Sequence, residues 1–151
     1  MTDRPAVSKA DAARLDALLR QAGEAERAGD LARSAALGQE AWDALPEPKA
    51  GFDFYPQIIA RGMLRKAAAR RDRGQIETWL RTTYETYADP GHDNHFVNML
   101  EGAAWRAIGD DEAAYDISDK VYRRDGREGF AGDDLAHLEW YLKERARRRA
   151  G

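Results

Sequence analysis

The feature that most constrains this chain is a helical periodicity broken at single glycines. In the stretch 98–122, Leu100, Ala103, Ala104, Ala107 and Ile108 recur at three- and four-residue spacings, and Ala113, Ala114, Ile117 and Val121 do the same after a break at Gly109-Asp110. That is the 3.6-residue period of two amphipathic helices. Gly109 can take the left-handed conformation that closes a helix, and Asp110 can cap the next through its side-chain oxygen. Gly29-Asp30 repeats the arrangement, and Gly74-Gln75 reads as a third turn of the same kind.

Taken in order, Ser8 with Asp11 opens a helix running to about Ala28, striped by Leu15, Leu18, Leu19 and Ala22. A second helix follows Asp30 and stops at Pro46 and Pro48, which cannot donate a helical N–H. The connection PEPKAGFDFYP carries Phe52, Phe54 and Tyr55, either packed on neighbouring helices or displayed as a binding surface. Asp53 is the expected N-cap of a third helix from about Phe54 to Arg71. A fourth helix carries Ile76, Trp79, Leu80, Thr83 and Tyr87 and ends at Asp89-Pro90-Gly91. Asp93 or Asn94 should cap the fifth helix, and Asp133 the last, which runs through Leu135, Leu138, Trp140, Tyr141 and Leu142. The expectation is an all-α single domain over 1–151, with hairpins at about 8–46, 54–88 and 93–123 and a capping helix at about 133–148.

Length and charge narrow the function. With 151 residues the chain is one domain by size. The absence of cysteine excludes disulfides and thiolate chemistry and fits a reducing compartment. The first thirty residues are interrupted by charge, without the apolar run of a signal peptide or a bilayer span, so the expected location is the cytoplasm. The net charge of -3 conceals segregation. Residues 61–73 carry six cations against Asp72, residues 85–119 carry nine carboxylates against Arg106, and residues 143–149 carry five cations against Glu144. Such runs are either solvated helix faces or a polarised surface that steers a charged partner.

The glycines at 29, 74 and 109 lie 45 and 35 residues apart, and a period near ~34 marks stacked helical hairpins. With Ala22, Ala67 and Gly102 seven residues before them, Ser34 and Ala114 five after, and Pro46 closing the first unit, residues 12–124 resemble the tetratricopeptide-repeat family. Trp79 departs from the small residue expected in the middle unit. The resemblance implies a right-handed stack of three hairpins, and a peptide groove lined by Asp16, Leu19, Arg61, Leu64, Arg65, Phe96 and Met99. A narrower resemblance, carried by Trp42, Leu45, Pro46, Pro48 and Lys49 and by Gly126, Arg127, Phe130, Asp133, Asp134, Leu138 and Trp140, is to small repeat proteins encoded in bacterial polymorphic-toxin loci. An extra residue before Phe130 and the stretch His137-Leu138-Glu139-Trp140 depart from that pattern. It implies an immunity protein that binds and neutralises a cognate toxin, the alternative being a peptide-binding adaptor or chaperone.

Motifs for chemistry are sparse. None of Ser8, Ser34 and Ser118 lies in a Gly-x-Ser-x-Gly turn, and the glycines are too dispersed for a phosphate-cradling loop. His92 and His95, with Asp93 between them, straddle a helix start, and no further ligand can be named to complete a site, so capping and turn roles are expected in place of metal. His137 reads as a residue of a surface helix. No cofactor is expected and the chain is read as a non-enzyme. The basic helix wraps its charge around its circumference, which argues against nucleic acid. The expected partner is another protein, a basic toxin domain in the specific case, met by Asp110, Asp111, Glu112, Asp116 and Asp119, or by Arg61, Arg65, Phe96, Phe52, Phe54 and Tyr55 in the groove and loop.

Overall fold

The computed structural model describes residues 3–132 and 135–151. Among them are seven α-helices: α1 (Lys9–Arg27), α2 (Leu31–Ala44), α3 (Tyr55–Ala69), α4 (Arg73–Thr86), α5 (His95–Ala107), α6 (Asp111–Asp125) and α7 (Leu135–Ala150). Two 3-10 turns, Lys49–Gly51 and Gly126–Phe130, precede α3 and α7. Helices pair in sequence order as α1 with α2, α3 with α4 and α5 with α6. The chain forms two compact units, Met1–Gly91 and His92–Gly151. In the first, α2 also packs on α3; in the second, α7 packs on α6 and the 3-10 turn.

One backbone device makes all three hairpins. At the end of α1 the Gly29 N–H donates to Glu26 O at 3.0 Å and the Asp30 N–H to Ala25 O at 2.8 Å. This double closure, with a left-handed residue at its corner, satisfies carbonyls that the helix end would orphan. The residue after the corner then caps the next helix, Asp30 Oδ1 accepting from Arg33 N at 3.0 Å. Gly109 and Asp110 repeat the arrangement, with Asp110 N–H on Trp105 O at 2.9 Å and Asp110 Oδ1 accepting from Ala113 N at 3.0 Å. The corners have φ of 82° and 77°, where a Cβ is disfavoured.

The middle hairpin corrects the sequence reading. Its corner is Arg71, at φ 56°, and its cap is Asp72, whose Oδ1 accepts from Gln75 N at 3.2 Å. Gly74 lies inside α4. An arginine in the left-handed region has no sequence signal, whereas a nearby glycine offers a misleading one. Counted from the capping aspartates, the pattern becomes regular. The buried residues of α2 are Ser34, Leu37, Gly38 and Ala41; those of α6 are Ala114, Ile117, Ser118 and Val121; both sets fall four, seven, eight and eleven residues after the cap. Ile76, Trp79, Leu80 and Thr83 of α4 occupy the same offsets. Trp79 therefore matches Leu37 and Ile117, and the small-residue positions of Ser34 and Ala114 correspond to Ile76.

Other boundaries follow the expectation with one further correction. Ser8 Oγ accepts from Asp11 N at 3.1 Å, and Asn94 rather than Asp93 caps α5 by accepting from Val97 N at 3.1 Å. Asp53 does not cap α3. The residue before the helix is Phe54, at φ 72° and ψ -68°, and Tyr55 N–H returns to Asp53 O at 2.9 Å, closing a three-residue turn of a strained type. Asp133, the expected cap of α7, lies outside the described residues.

Candidate functional site

The five candidate acidic residues, Asp110 at the cap of α6 and four on the helix, fall into three groups. Asp110 is committed to the cap. Glu112 receives both ends of the Arg148 guanidinium from α7, at 3.1 and 3.3 Å, and Asp119 accepts from the Tyr141 hydroxyl at 2.5 Å and pairs with Arg123 at 2.9 Å. Asp111 and Asp116 remain exposed on the helix. The basic tail thus answers part of the acidic run within the same unit. Arg148 also lies 3.9 Å over the Tyr115 ring, and Glu144 is held by Arg147 at 2.6 Å and Arg148 at 3.3 Å. These bonds, Arg147 first, hold the Glu144 carboxyl down at about 2 despite the opposing effect of burial. Burial and the bond to Asp119 push the Tyr141 phenol well above its ordinary range.

In the first unit the candidate loop divides. Tyr55 is tied to α1 by its hydroxyl, which donates to Asp16 Oδ1 at 2.6 Å; that bond raises the phenol's pKa. Phe52 is half-buried, whereas Phe54 is 54% exposed, resting edge-on against Tyr55 at 4.9 Å. Of the expected groove, Leu64 is 1% exposed and belongs to the core. Arg61 donates to the Tyr87 hydroxyl at 3.1 Å, and Arg65 is exposed. Lys66, beside them, has its pKa lowered by burial, with Glu26 opposing and Arg65 adding to the effect. Arg4 reaches the Thr86 carbonyl and Asp53 N–H reaches Pro5 O at 3.0 Å, so the segment before α1 braces both ends of the α3–α4 hairpin.

Among the described residues behind the narrower family resemblance, Trp42, Lys49 and Phe130 serve packing and helix closure, while Pro48 and Arg127 are exposed. Trp42 meets Trp79 edge-on at 5.5 Å, with the Trp79 indole donating to Gln75 at 3.1 Å. Lys49 Nζ donates to Leu45 O at 3.1 Å, covering the end of α2. Phe130 is fully buried between Val121 and Tyr141.

The second unit contains a cleft of which the sequence offered Phe96 and Met99 as groove residues but not the rest of the lining. One face of α5 presents Phe96, Met99, Leu100, Ala103 and Arg106, spaced three or four residues apart, and His95 and His137 complete a hollow of about 300 Å³. Phe96 is 46% exposed at its edge. His137 is 4% exposed, correcting its reading as a surface residue. It enters because Gly102 has no side chain: a Cβ there would meet His137 Cε1 at 3.0 Å and Ser118 Oγ at 3.4 Å. Ser118 and His137 Nε2 are hydrogen-bonded at 2.9 Å, and the imidazole packs against Phe130 and Trp140. Leu135, expected in the apolar stripe of α7, is instead 67% exposed. The Arg106 guanidinium lies 5.0 Å over the Trp140 ring, which fixes its position without neutralising it.

The two histidines at the start of α5 are engaged through backbone carbonyls. His95 Nε2 contacts the Gly129 carbonyl, and the His92 carbonyl accepts from Lys120 Nζ at 2.7 Å and Asn98 Nδ2 at 2.9 Å. Asp93 pairs with Lys120 at 3.1 Å. Among the described residues no three His, Asp or Glu side chains converge as a metal site, and no helix is long and apolar enough to cross a membrane. What the arrangement offers is a small apolar recess with one fixed cation at its rim and, on the neighbouring helix, two exposed carboxylates. Compared with protein-family models, curated proteins and solved structures, the chain matches none.

Proposed function

We propose that this chain is a protein-binding helical-repeat protein, and specifically an immunity protein that occludes a cognate bacterial toxin. The observation that carries the binding reading is the α5 cleft, where a half-exposed aromatic and a helix face of apolar side chains surround an open recess. Recesses of this kind accept the anchoring side chain that dominates binding energy at protein interfaces. The toxin-specific reading rests on the resemblance carried by Trp42, Leu45, Pro46, Pro48 and Lys49 and by the 126–140 segment. Asp111 and Asp116 supply the negative charge that would speed capture of a basic toxin domain. A peptide-binding adaptor is the alternative, favoured if the cleft binds and the carboxylates contribute nothing.

The test is co-expression with the product of the adjacent gene. Relief of that product's toxicity and co-purification of the two support the immunity role; no relief and no complex overturn it. Asp111→Lys with Asp116→Lys should slow association, and Phe96→Ala should speed dissociation. Asp110 is left intact, since replacing it would remove a helix cap. Complexes unaffected by either change would eliminate both surfaces.

A further inference from the structure

The cleft has a counterpart on the same chain. Phe54 is 54% exposed, and it stands on a backbone turn whose φ of 72° is unfavourable for any residue with a side chain. Strained backbone persists where the surroundings over-determine it, and here it holds an aromatic out to solvent directly after the exposed carboxylate of Asp53. The Asp53 backbone N–H is bound to Pro5 O, so the display is braced from α1's leading segment. In the second unit, the cleft of about 300 Å³ is apolar on the α5 side and carries Arg106 at its rim. Among the described residues no carboxylate lines it, while His95 and His137 are bonded to Gly129 and Ser118.

We propose that the α5 cleft receives Phe54 from a second copy of the chain, with Asp53 of that copy against Arg106. The knob and the recess match in chemistry at two points: an aromatic side chain against Phe96, Met99 and Leu100, and a carboxylate against a guanidinium held in place by Trp140. The contact is head-to-tail, since knob and recess are different surfaces, so it extends from copy to copy unless its geometry closes a ring. It is weak. A single aromatic buries ~150–250 Å², far below the ~1,600 Å² of a standard interface, and the expected dissociation constant is on the order of 0.1–1 mM. The inference does not depend on a foreign partner; if the cleft also serves one, the two occupants compete.

Sedimentation equilibrium of the full chain from about 10 µM to about 1 mM tests this. The average mass should rise with concentration. Phe54→Ala and Ala103→Arg, both at exposed positions, should each weaken association by roughly tenfold or more while leaving helicity unchanged. Mixed in equal amounts, these two variants retain one intact knob and one intact recess, so they should form a pair that grows no further. Asp53→Arg and Arg106→Asp should each weaken the contact, and combined they should restore it. A chain that stays monomeric to 1 mM, association that survives either exposed-site variant, or variants that fail to pair when mixed would each overturn the proposal.

Discussion

Replacing Arg71 with glycine should stabilise the protein, although it deletes a charged side chain and adds flexibility. Arg71 occupies the same corner as Gly29 and Gly109, at φ 56°, with the same pair of closing hydrogen bonds. A residue with a Cβ costs about 1–2 kcal/mol in the left-handed region. Glycine removes that cost and returns about 0.4–1 kcal/mol through the freedom it adds to the unfolded chain. The net gain is roughly 0.5–1 kcal/mol. Gly109→Ala is the mirror experiment, because nothing lies within 4 Å of a Cβ built there, so the change tests backbone conformation without a clash. It should destabilise by a similar amount. Urea denaturation followed by circular dichroism reads both, and by heat the shifts should be about 1–4 °C in opposite directions. If Arg71→Gly lowers the midpoint, or if the two substitutions act with the same sign, the shared corner is not what determines the middle hairpin.

Gly102→Ala should cost about 1–3 kcal/mol by forcing His137 and Ser118 out of place, with the cost falling sharply in a His137→Ala background; a double-mutant cycle showing simple additivity would refute the packing argument. Glu144 gives a pH prediction. Its folded carboxyl titrates at about 2, below the ordinary 4.5, so its contribution is complete above 4.5 and is lost as pH falls toward 2. Acid titration of α7 docking should therefore show a stability loss in that window, flattened in Glu144→Gln; a profile identical in the variant would sink the assignment.

The helices and two of the three hairpin turns were legible because periodicity and the Gly-Asp pair act locally. The Ser8, Asp30 and Asp110 caps are likewise short-range hydrogen bonds that residue type announces. Arg71 was not legible, since its conformation is imposed by the helices on either side, yet Asp72 with the apolar offsets at 76, 79, 80 and 83 would have pointed to it. Asp53 lost its expected role because the turn at Phe54 intervenes between a good capping side chain and the helix. Of the α5 cleft, Phe96 and Met99 were legible as groove residues, but the recess they line was not. It exists because Gly102 admits His137 from a helix 35 residues later, and no pattern within α5 or α7 alone reports that meeting. The charge segregation was visible, but Glu112 and Asp119 turned out to be engaged by Arg148, Tyr141 and Arg123, which left Asp111 and Asp116 as the exposed remainder.

At each hairpin one aspartate both closes the preceding helix and caps the following one, so the connection has no slack. A residue inserted there would rotate the second helix by ~100° about its axis and carry its buried face toward solvent. Length can therefore vary at little cost only between hairpins, as in the 45–54 connection. In this chain that tolerant segment displays Phe54, which makes it the place where new binding chemistry could be added without disturbing a single helix pair.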